Sequence, residues 1–117
     1  MGIRVYSLSE IVAEKLRALL QQVIRNRNRR QDVFDIAWLL KKYGPDSIDK
    51  DAVLNALMIK ARARGIEPTR TSLENPDVVR RAEADWDSMS LEIAGKLPSF
   101  KESFDAVNEF YKSLPWK

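Results

Sequence analysis

Apolar residues recur at spacings of three and four along most of the chain, which is the pattern of amphipathic helices. Helix-breaking residues separate the periodic segments, at Gly44-Pro45, Gly65, Gly95 and Pro98. The predicted helices span residues 8–24, 32–43, 49–64, 77–94 and 99–113, with a connector at 67–76. Ser7 and Glu10 have the spacing of a capping box before the first helix, and Asp49 is the predicted N-cap of the third.

The same pattern predicts no β-sheet, because no stretch alternates apolar and polar residues between turns. Residues 3–6 are the one candidate for a short extended lead-in. A length of 117 residues fits one domain with its own core and leaves little room for a second. We therefore expect residues 1–117 to form a single all-α domain, a bundle of about five helices with short connections.

The composition narrows the chemistry that the chain can support. It contains no Cys and no His, which excludes disulfides, thiolate nucleophiles, imidazole bases and the usual zinc sites. Any reaction must therefore use carboxylates, Lys, Arg, Tyr or Ser. No apolar run approaches the roughly 20 residues of a membrane span and no signal peptide is visible, so we expect a cytoplasmic protein with no membrane contact.

The net charge is small, +3 from 20 basic and 17 acidic residues, but it is unevenly distributed. Four arginines without an intervening acid follow the first predicted helix: Arg25, Arg27, Arg29 and Arg30. A solvated cationic loop would explain them, since arginine favours the negative end of a helix dipole. A patch that contacts phosphate groups, including those of RNA, would explain them too. The run alone favours the solvated loop.

Lys15 has an unusual position in the first predicted helix. At about 100° per residue it falls between Ile11 and Leu19 within the apolar arc, whereas Arg17 and Gln21 fall on the opposite face. Periodicity alone favours a lysine at the edge of the arc, whose stem covers apolar surface while its ammonium reaches water. The alternative is a partly desolvated ammonium that faces a cleft, as in phosphate-binding lysines.

Two acids, Asp32 and Asp35, begin the second predicted helix and share one side of it. Asp32 suits the N-cap, and Asp35 suits the first turn, where the helix dipole favours acids. Asp32 also aligns with Ile36 and Leu39 on a face that should point inward, where an acid needs a cationic partner. An ion pair between Lys15 and Asp32 or Asp35 across the two helices would supply that partner.

Three motifs carry a resemblance to a known family: YSL at 6–8, AEKLRAL at 13–19 and RQDVFD at 30–35. They resemble the helical C-terminal portion of the AbiEii/AbiGii nucleotidyltransferase toxins, in which a Lys-bearing helix and an Asp-bearing helix form the last two of four motifs. The likeness continues less specifically through Arg81-Ala82 and Trp86 to residues 97–100. Gln31 departs from the basic residue that often precedes the Asp, and Phe34 stands where Tyr is common.

This resemblance implies a bacterial type IV toxin–antitoxin or phage-abortive protein, and in fold the helical half of a minimal nucleotidyltransferase. It implies transfer of a nucleotidyl group from a nucleoside triphosphate (NTP) with Mg²⁺, with tRNA as acceptor in some members and a cognate antitoxin as partner. Carried over by position, Lys15 would contact the triphosphate and Arg17 would support it. Asp32 and Asp35 match the acidic pair of the last motif, where one acid is proposed to assist catalysis.

The first two motifs of the family, a Gly-Ser turn and an Asp-x-Asp pair on adjacent strands, are absent from this sequence. Those acids bind the metal, on which in-line nucleotidyl transfer chiefly depends. Asp85 and Asp87 have the Asp-x-Asp spacing, but their side chains diverge on a predicted helix, and we interpret them as surface acids. We therefore expect no metal site in this chain. We expect it to be the C-terminal domain of a longer nucleotidyltransferase, inactive without its N-terminal domain, and either an excised piece or a gene remnant.

Two other classes of function remain open from the sequence. The first is an autonomous helical module that binds RNA or DNA through its arginines, although no helix-turn-helix spacing is present. The second is a protein-docking module that meets an antitoxin through Phe110, Tyr111 and Trp116, although a small helical domain usually needs such aromatics for its core. Trp38 lies away from the apolar face of its helix, which suggests packing on a later helix or on a partner domain.

Overall fold

The computed structural model describes residues 7–116. The chain forms six α-helices in this range: α1 Leu8–Leu20, α2 Gln22–Arg25, α3 Arg30–Tyr43, α4 Lys50–Arg62, α5 Pro76–Glu83 and α6 Phe100–Lys112. Short 3₁₀ turns lie at Pro45–Ser47, Ser72–Glu74 and Trp86–Leu91. No strand occurs between residues 7 and 116, so the predicted all-α bundle is confirmed. The proposed lead-in at residues 3–6 lies outside the described residues.

Helix α1 is central to the bundle. It packs most extensively against α4 and also contacts α2, α3 and α5, while α6 packs against α3. Large, fully buried side chains from most of these elements form one core: Leu16, Leu19, Ile36, Leu57, Leu73, Met89, Tyr111 and Leu114. Of the helices in the described range, none is long and apolar enough to cross a membrane.

The first predicted helix, 8–24, is in fact two helices. Helix α1 ends at Leu20, and Gln21 separates it from the single turn of α2. Asn26 then ends α2 in the left-handed conformation, with φ at 51°. The buried face of α1 continues across this break, because Gln22, although polar, is fully buried and follows Leu19 at i+3.

The predicted N-cap residues are confirmed at two helices and wrong at a third. The side chains of Ser7 and Asp49 each accept a hydrogen bond, 3.1 Å long, from the amide three residues later. Helix α3 begins at Arg30, two residues earlier than predicted, and its N-cap is Arg29. Asp32 is therefore in the first turn of α3 and does not cap it.

The fourth predicted helix, 77–94, is the largest error. Helix α5 ends at Glu83, and Asp85 adopts a left-handed conformation with φ at 59°. This reversal lets Trp86 turn inward, where its Nε1 donates to the carbonyl of Pro98 at 3.0 Å and its ring meets Phe100 edge-on at 5.3 Å. The prediction that Asp85 and Asp87 are surface acids is confirmed, since both are exposed.

The aromatic residues near the C-terminus belong to the core. Phe110 and Tyr111 are buried, and Trp116 lies 5.0 Å from Tyr111 between ring centroids. The expectation that these aromatics serve the bundle itself is confirmed. Trp38 differs from them: it is 50% exposed, and the ammonium of Lys42 lies 4.8 Å from the centre of its ring.

Candidate functional site

Lys15 lies at the rim of a cavity of about 460 Å³ between α1, the start of α3 and α4. The prediction that Ile11 lies in the core beside Lys15 is wrong, because Ile11 is 37% exposed and lines this cavity, while Leu19 is buried. Lys15 thus lies at an edge of the apolar arc, with its side chain 26% exposed. We call this space the lysine cavity, and it is lined by Glu10, Ile11, Glu14, Lys15, Ala18, Arg29, Asp32 and Lys60.

Both acids of α3 meet Lys15. Its Nζ lies 2.8 Å from Oδ2 of Asp35 and 3.6 Å from Oδ1 of Asp32. The predicted ion pair across α1 and α3 is therefore confirmed, and it involves both acids. Arg29 contributes a second cation, with its Nε 2.6 Å from Oδ2 of Asp32. Gln31 donates from Nε2 to Oδ1 of Asp35 at 3.0 Å.

The two carboxylates differ in their surroundings. The side chain of Asp32 is only 6% exposed and is held by two cations, so it is fixed in place. The side chain of Asp35 is 31% exposed and shares Lys15 with Asp32. An ammonium has three N–H donors, and these two acids use no more than two of them. Lys15 can therefore offer a donor to an anion that enters the lysine cavity.

Arg17 lines a second, smaller space of about 150 Å³, which we call the arginine cavity. Its guanidinium contacts the carboxylate of Glu14 and the side-chain oxygen of Gln21. Burial, followed by the nearby positive charges of Arg64 and Arg29, lowers the pKa of Arg17 from its usual value. The prediction of an exposed face at this point is wrong for Gln21, which is only 6% exposed and lines this cavity.

The arginine run divides between two places. Arg25, Arg27 and Arg29 join Arg17 around the arginine cavity, and Arg29 also lines the lysine cavity. Arg30 begins α3 and is half-buried, and its Nε finds no hydrogen-bond partner among residues 7–116. The structure therefore brings three of the four arginines together.

Sequence reasoning missed the residue that organises this loop. Gln22 is fully buried; its Nε2 donates to the carbonyl of Val78 at 3.0 Å, and its Oε1 accepts from the amide of Arg29 at 2.8 Å. The carbonyl of Gln22 accepts from the amide of Arg27 at 2.9 Å. One signal was present in the sequence, because Gln22 lies in register with the buried Leu19. The exposure of Arg25, Arg27 and Arg29 agrees with the solvated-loop interpretation, which makes no statement about this anchoring.

Lys60 of α4 was also missed. Its ammonium lies 3.4 Å from Glu14 at the rim of the lysine cavity, so Glu14 is shared between Lys60 and Arg17. Nothing in the spacing of Lys60 distinguishes it from the other lysines of the chain. Its position adds a further positive charge to the lysine cavity.

The acids at the site do not fit a resident Mg²⁺ ion. Among residues 7–116, no three acidic side chains lie close enough to hold a metal. Asp32 and Asp35 are already bonded to Arg29 and Lys15, and displacing those cations would leave them without a charge partner. Mg²⁺ requires near-octahedral oxygen ligands, which this network does not supply.

Comparison with known protein families identifies the chain. A sequence model of the family described as "Nucleotidyl transferase AbiEii toxin, Type IV TA system" matches residues 1–109. The chain belongs to the AbiEii family. No curated protein sequence and no solved structure gives a significant match.

Membership of the AbiEii family confirms the resemblance seen in the sequence motifs. The chain is thus related to the nucleotidyltransferase toxins of type IV toxin–antitoxin systems, in which a toxin is paired with an antitoxin. The AbiEii match includes α1 and α3, the two helices that carry Lys15, Asp32 and Asp35.

Proposed function

We propose that this chain is the C-terminal helical domain of an AbiEii-like nucleotidyltransferase toxin. In this proposal Lys15 binds the triphosphate of an NTP, and Asp35 assists the transfer to the acceptor. The observation that carries the proposal is the position of the Lys15 ammonium, 2.8 Å from Asp35 and 3.6 Å from Asp32 at the rim of the lysine cavity. Family membership supports the reaction class.

The roles follow from the exposure of each side chain. A triphosphate carries more negative charge than one carboxylate, so it attracts Lys15 away from Asp35. Asp35 then accepts the proton of the acceptor hydroxyl, whose oxygen bonds to the α-phosphorus while pyrophosphate leaves. Asp32 remains bonded to Arg29 and positions Lys15. Gln31 keeps the carboxylate of Asp35 oriented toward the site.

Arg17 has an indirect role in this proposal. It holds Glu14, which also contacts Lys60 at the rim of the lysine cavity. Arg17 thereby supports the positive surroundings of the triphosphate from the neighbouring cavity. The prediction that Arg17 belongs to the nucleotide site is retained in this form.

Mg²⁺ has to be held by residues other than Asp32 and Asp35, because those acids are bonded to cations. We propose that a preceding nucleotidyltransferase domain holds the metal and that the helical domain is inactive alone. The acceptor is tRNA, the cognate antitoxin is a further partner, and the reaction takes place in the cytoplasm, where NTPs and tRNA are present.

The first experiment is the native size of the protein in its source cells. An antiserum against this 13.5 kDa chain is used to blot a lysate. A band of about twice that mass is expected, because a second domain adds on the order of 100–150 residues. A band at the mass of the chain itself would contradict the two-domain proposal.

The second experiment tests the site in the native polypeptide. Transfer of label from an α-³²P-labelled NTP to total tRNA is measured for Lys15→Ala and Asp35→Asn, with circular dichroism to verify folding. Both substitutions are expected to reduce transfer by about 100-fold or more, as removal of a single electrostatic or acid–base group commonly does. Lys41→Ala is the matched control, since Lys41 lies on the same helix as Asp35 but lines a different cavity. Unchanged transfer in both site variants would refute the assignment.

A further inference from the structure

We infer that the arginine cavity is a second anion site, which binds one phosphate group through Arg17, Arg25, Arg27 and Arg29. This site is distinct from the lysine cavity, which the proposed nucleotidyl transfer uses. It needs neither Lys15 nor Asp35, so it does not depend on that function. Three observations support it: an excess of positive charge, a loop held in place, and the size of the cavity.

The positive charge of the arginine cavity is not balanced by the protein. Its neighbouring acids are Glu14, which is shared with Lys60, and Asp32, which is shared with Lys15. Within residues 7–116, Arg25 and Arg27 take part in no ion pair. Arg64 adds a further charge nearby, and the repulsion contributes to the lowered pKa of Arg17. Guanidinium groups that outnumber the acids around them attract an anion, and phosphate matches their forked geometry.

The loop that bears these arginines is held by hydrogen bonds. Gln22 holds it at two points. Its side-chain oxygen accepts a hydrogen bond from the Arg29 amide, and its main-chain carbonyl accepts one from the Arg27 amide. Arg81 of α5 donates from Nη1 to the side-chain oxygen of Asn26 at 3.0 Å. Preorganisation of this kind lowers the entropy lost when a ligand binds.

The volume of the cavity restricts the ligand. The cavity has a volume of about 150 Å³ and is open to solvent. Sites for whole drug-sized ligands occupy about 300–1,000 Å³, so this smaller space encloses only one group of a ligand, and a base and sugar would lie outside it. A single tetrahedral phosphate group is small enough for this space. Gln21, which lines the cavity and is nearly buried, adds a polar side chain to its wall.

The phosphate group has two chemical sources. It belongs either to the phosphate chain of a nucleotide or to the backbone of a nucleic acid. Ala18 and Arg29 line both the arginine cavity and the lysine cavity, so the two spaces are adjacent. A ligand with phosphates in both cavities would therefore extend across Arg29.

The test is calorimetric titration of the full chain with inorganic phosphate, at ionic strength held constant with chloride. The variant is Arg25→Gln with Arg27→Gln, two exposed residues whose loss should leave the fold intact, which circular dichroism verifies. Each guanidinium lost removes charge-assisted hydrogen bonds, so phosphate affinity should fall about tenfold or more. The matched control, Lys41→Gln with Lys96→Gln, removes the same charge from a groove that shares no residue with the arginine cavity.

The control variant should bind phosphate within about twofold of the wild-type chain, since distant exposed charges are screened by salt. An equal loss of affinity in the control would mean that binding depends on net charge, and it would overturn the proposal. A wild-type chain with no preference for phosphate over chloride would also overturn it. Two further titrations, with ATP and with a short single-stranded RNA, identify the source. The ligand whose affinity falls in Arg25→Gln with Arg27→Gln supplies the phosphate; a fall for neither would also overturn the proposal.

Discussion

The ammonium of Lys15 donates a hydrogen bond of 2.8 Å to a carboxylate oxygen of Asp35, joining α1 to α3. Both side chains are partly exposed, at 26% and 31%, so this pair alone stabilises the fold by only about 0.2–1 kcal/mol. Asp32 is less exposed, and Lys15 is one of its two cations. The lysine therefore matters more to the fold than its closest partner does.

We predict that Lys15→Met lowers the free energy of unfolding by about 1–2 kcal/mol, and Asp35→Asn by about 0.5 kcal/mol. The difference arises because the first change leaves the nearly buried Asp32 with Arg29 alone. Urea denaturation followed by circular dichroism measures both values. Lys41→Met, on the exposed side of α3, serves as control. A greater loss in Asp35→Asn than in Lys15→Met would contradict this account.

Gln22→Leu should destabilise the protein by about 2–3 kcal/mol. The substitution keeps the size of the side chain but removes two hydrogen bonds, leaving the carbonyl of Val78 and the amide of Arg29 without their partner. Hydrogen exchange at the Arg29 amide should accelerate at the same time. Gln31→Leu is the comparison, because Gln31 is exposed, and its loss should cost less than about 0.5 kcal/mol. Equal costs for the two glutamines would be inconsistent with a buried anchor.

Trp86→Ala should cost about 3–5 kcal/mol, because this residue is 4% exposed and packs against Phe34 and Phe100. Trp38→Ala should cost less than about 1 kcal/mol, since Trp38 is half exposed and meets a cation on one face. Thermal or chemical denaturation of the two variants provides the comparison. The reverse order would mean that Trp38 is more closely packed than its 50% exposure indicates.

Stability should fall at alkaline pH because of Tyr111. Burial raises the pKa of its phenol to about 12, against about 10 in the unfolded chain, and the hydroxyl donates to the carbonyl of Thr69 at 2.6 Å. Because the pKa is higher in the folded state, the contribution of Tyr111 to the free energy of unfolding is complete below pH 10. It is lost as the pH rises from 10 through 12. Its size is about 2–3 kcal/mol.

The alkaline effect is measured by urea denaturation between pH 9 and pH 12. Tyr111→Phe should lose stability less steeply over that range, while Tyr43→Phe, at an exposed position, should behave like the wild-type chain. If Tyr111→Phe showed the same alkaline loss, other groups would be responsible.

The accuracy of the sequence-based predictions varied with the kind of signal. Helix α6 was predicted to within one residue at each end, because Ser99 caps it and its apolar positions face one core. The ion pair of Lys15 with Asp32 or Asp35 was also predicted, since helical spacing placed Lys15 within the apolar arc and Asp32 on the inward face. Both predictions rest on helical spacing and capping residues, which the sequence displays directly.

The errors arose where contacts distant in sequence decide the backbone. The helices break next to Gln22 and Trp86, whose side chains donate hydrogen bonds to the carbonyls of Val78 and Pro98. No local pattern reveals a partner carbonyl 56 residues away for Gln22. The arginine cavity was missed as a unit for the same reason, because its shape depends on where that glutamine is held.

In helix α1, the side chains from Val12 to Leu20 divide between the core and the two cavities. Every residue in that stretch is buried except Glu14, Lys15 and Arg17, and each of these three lines one of the two cavities. The stretch thus contains no position that is free of both the core and the cavities. In a library of random single substitutions, we expect variants at every position of this stretch to be depleted. Substitutions at the buried positions should impair folding, and those at Glu14, Lys15 and Arg17 should impair binding.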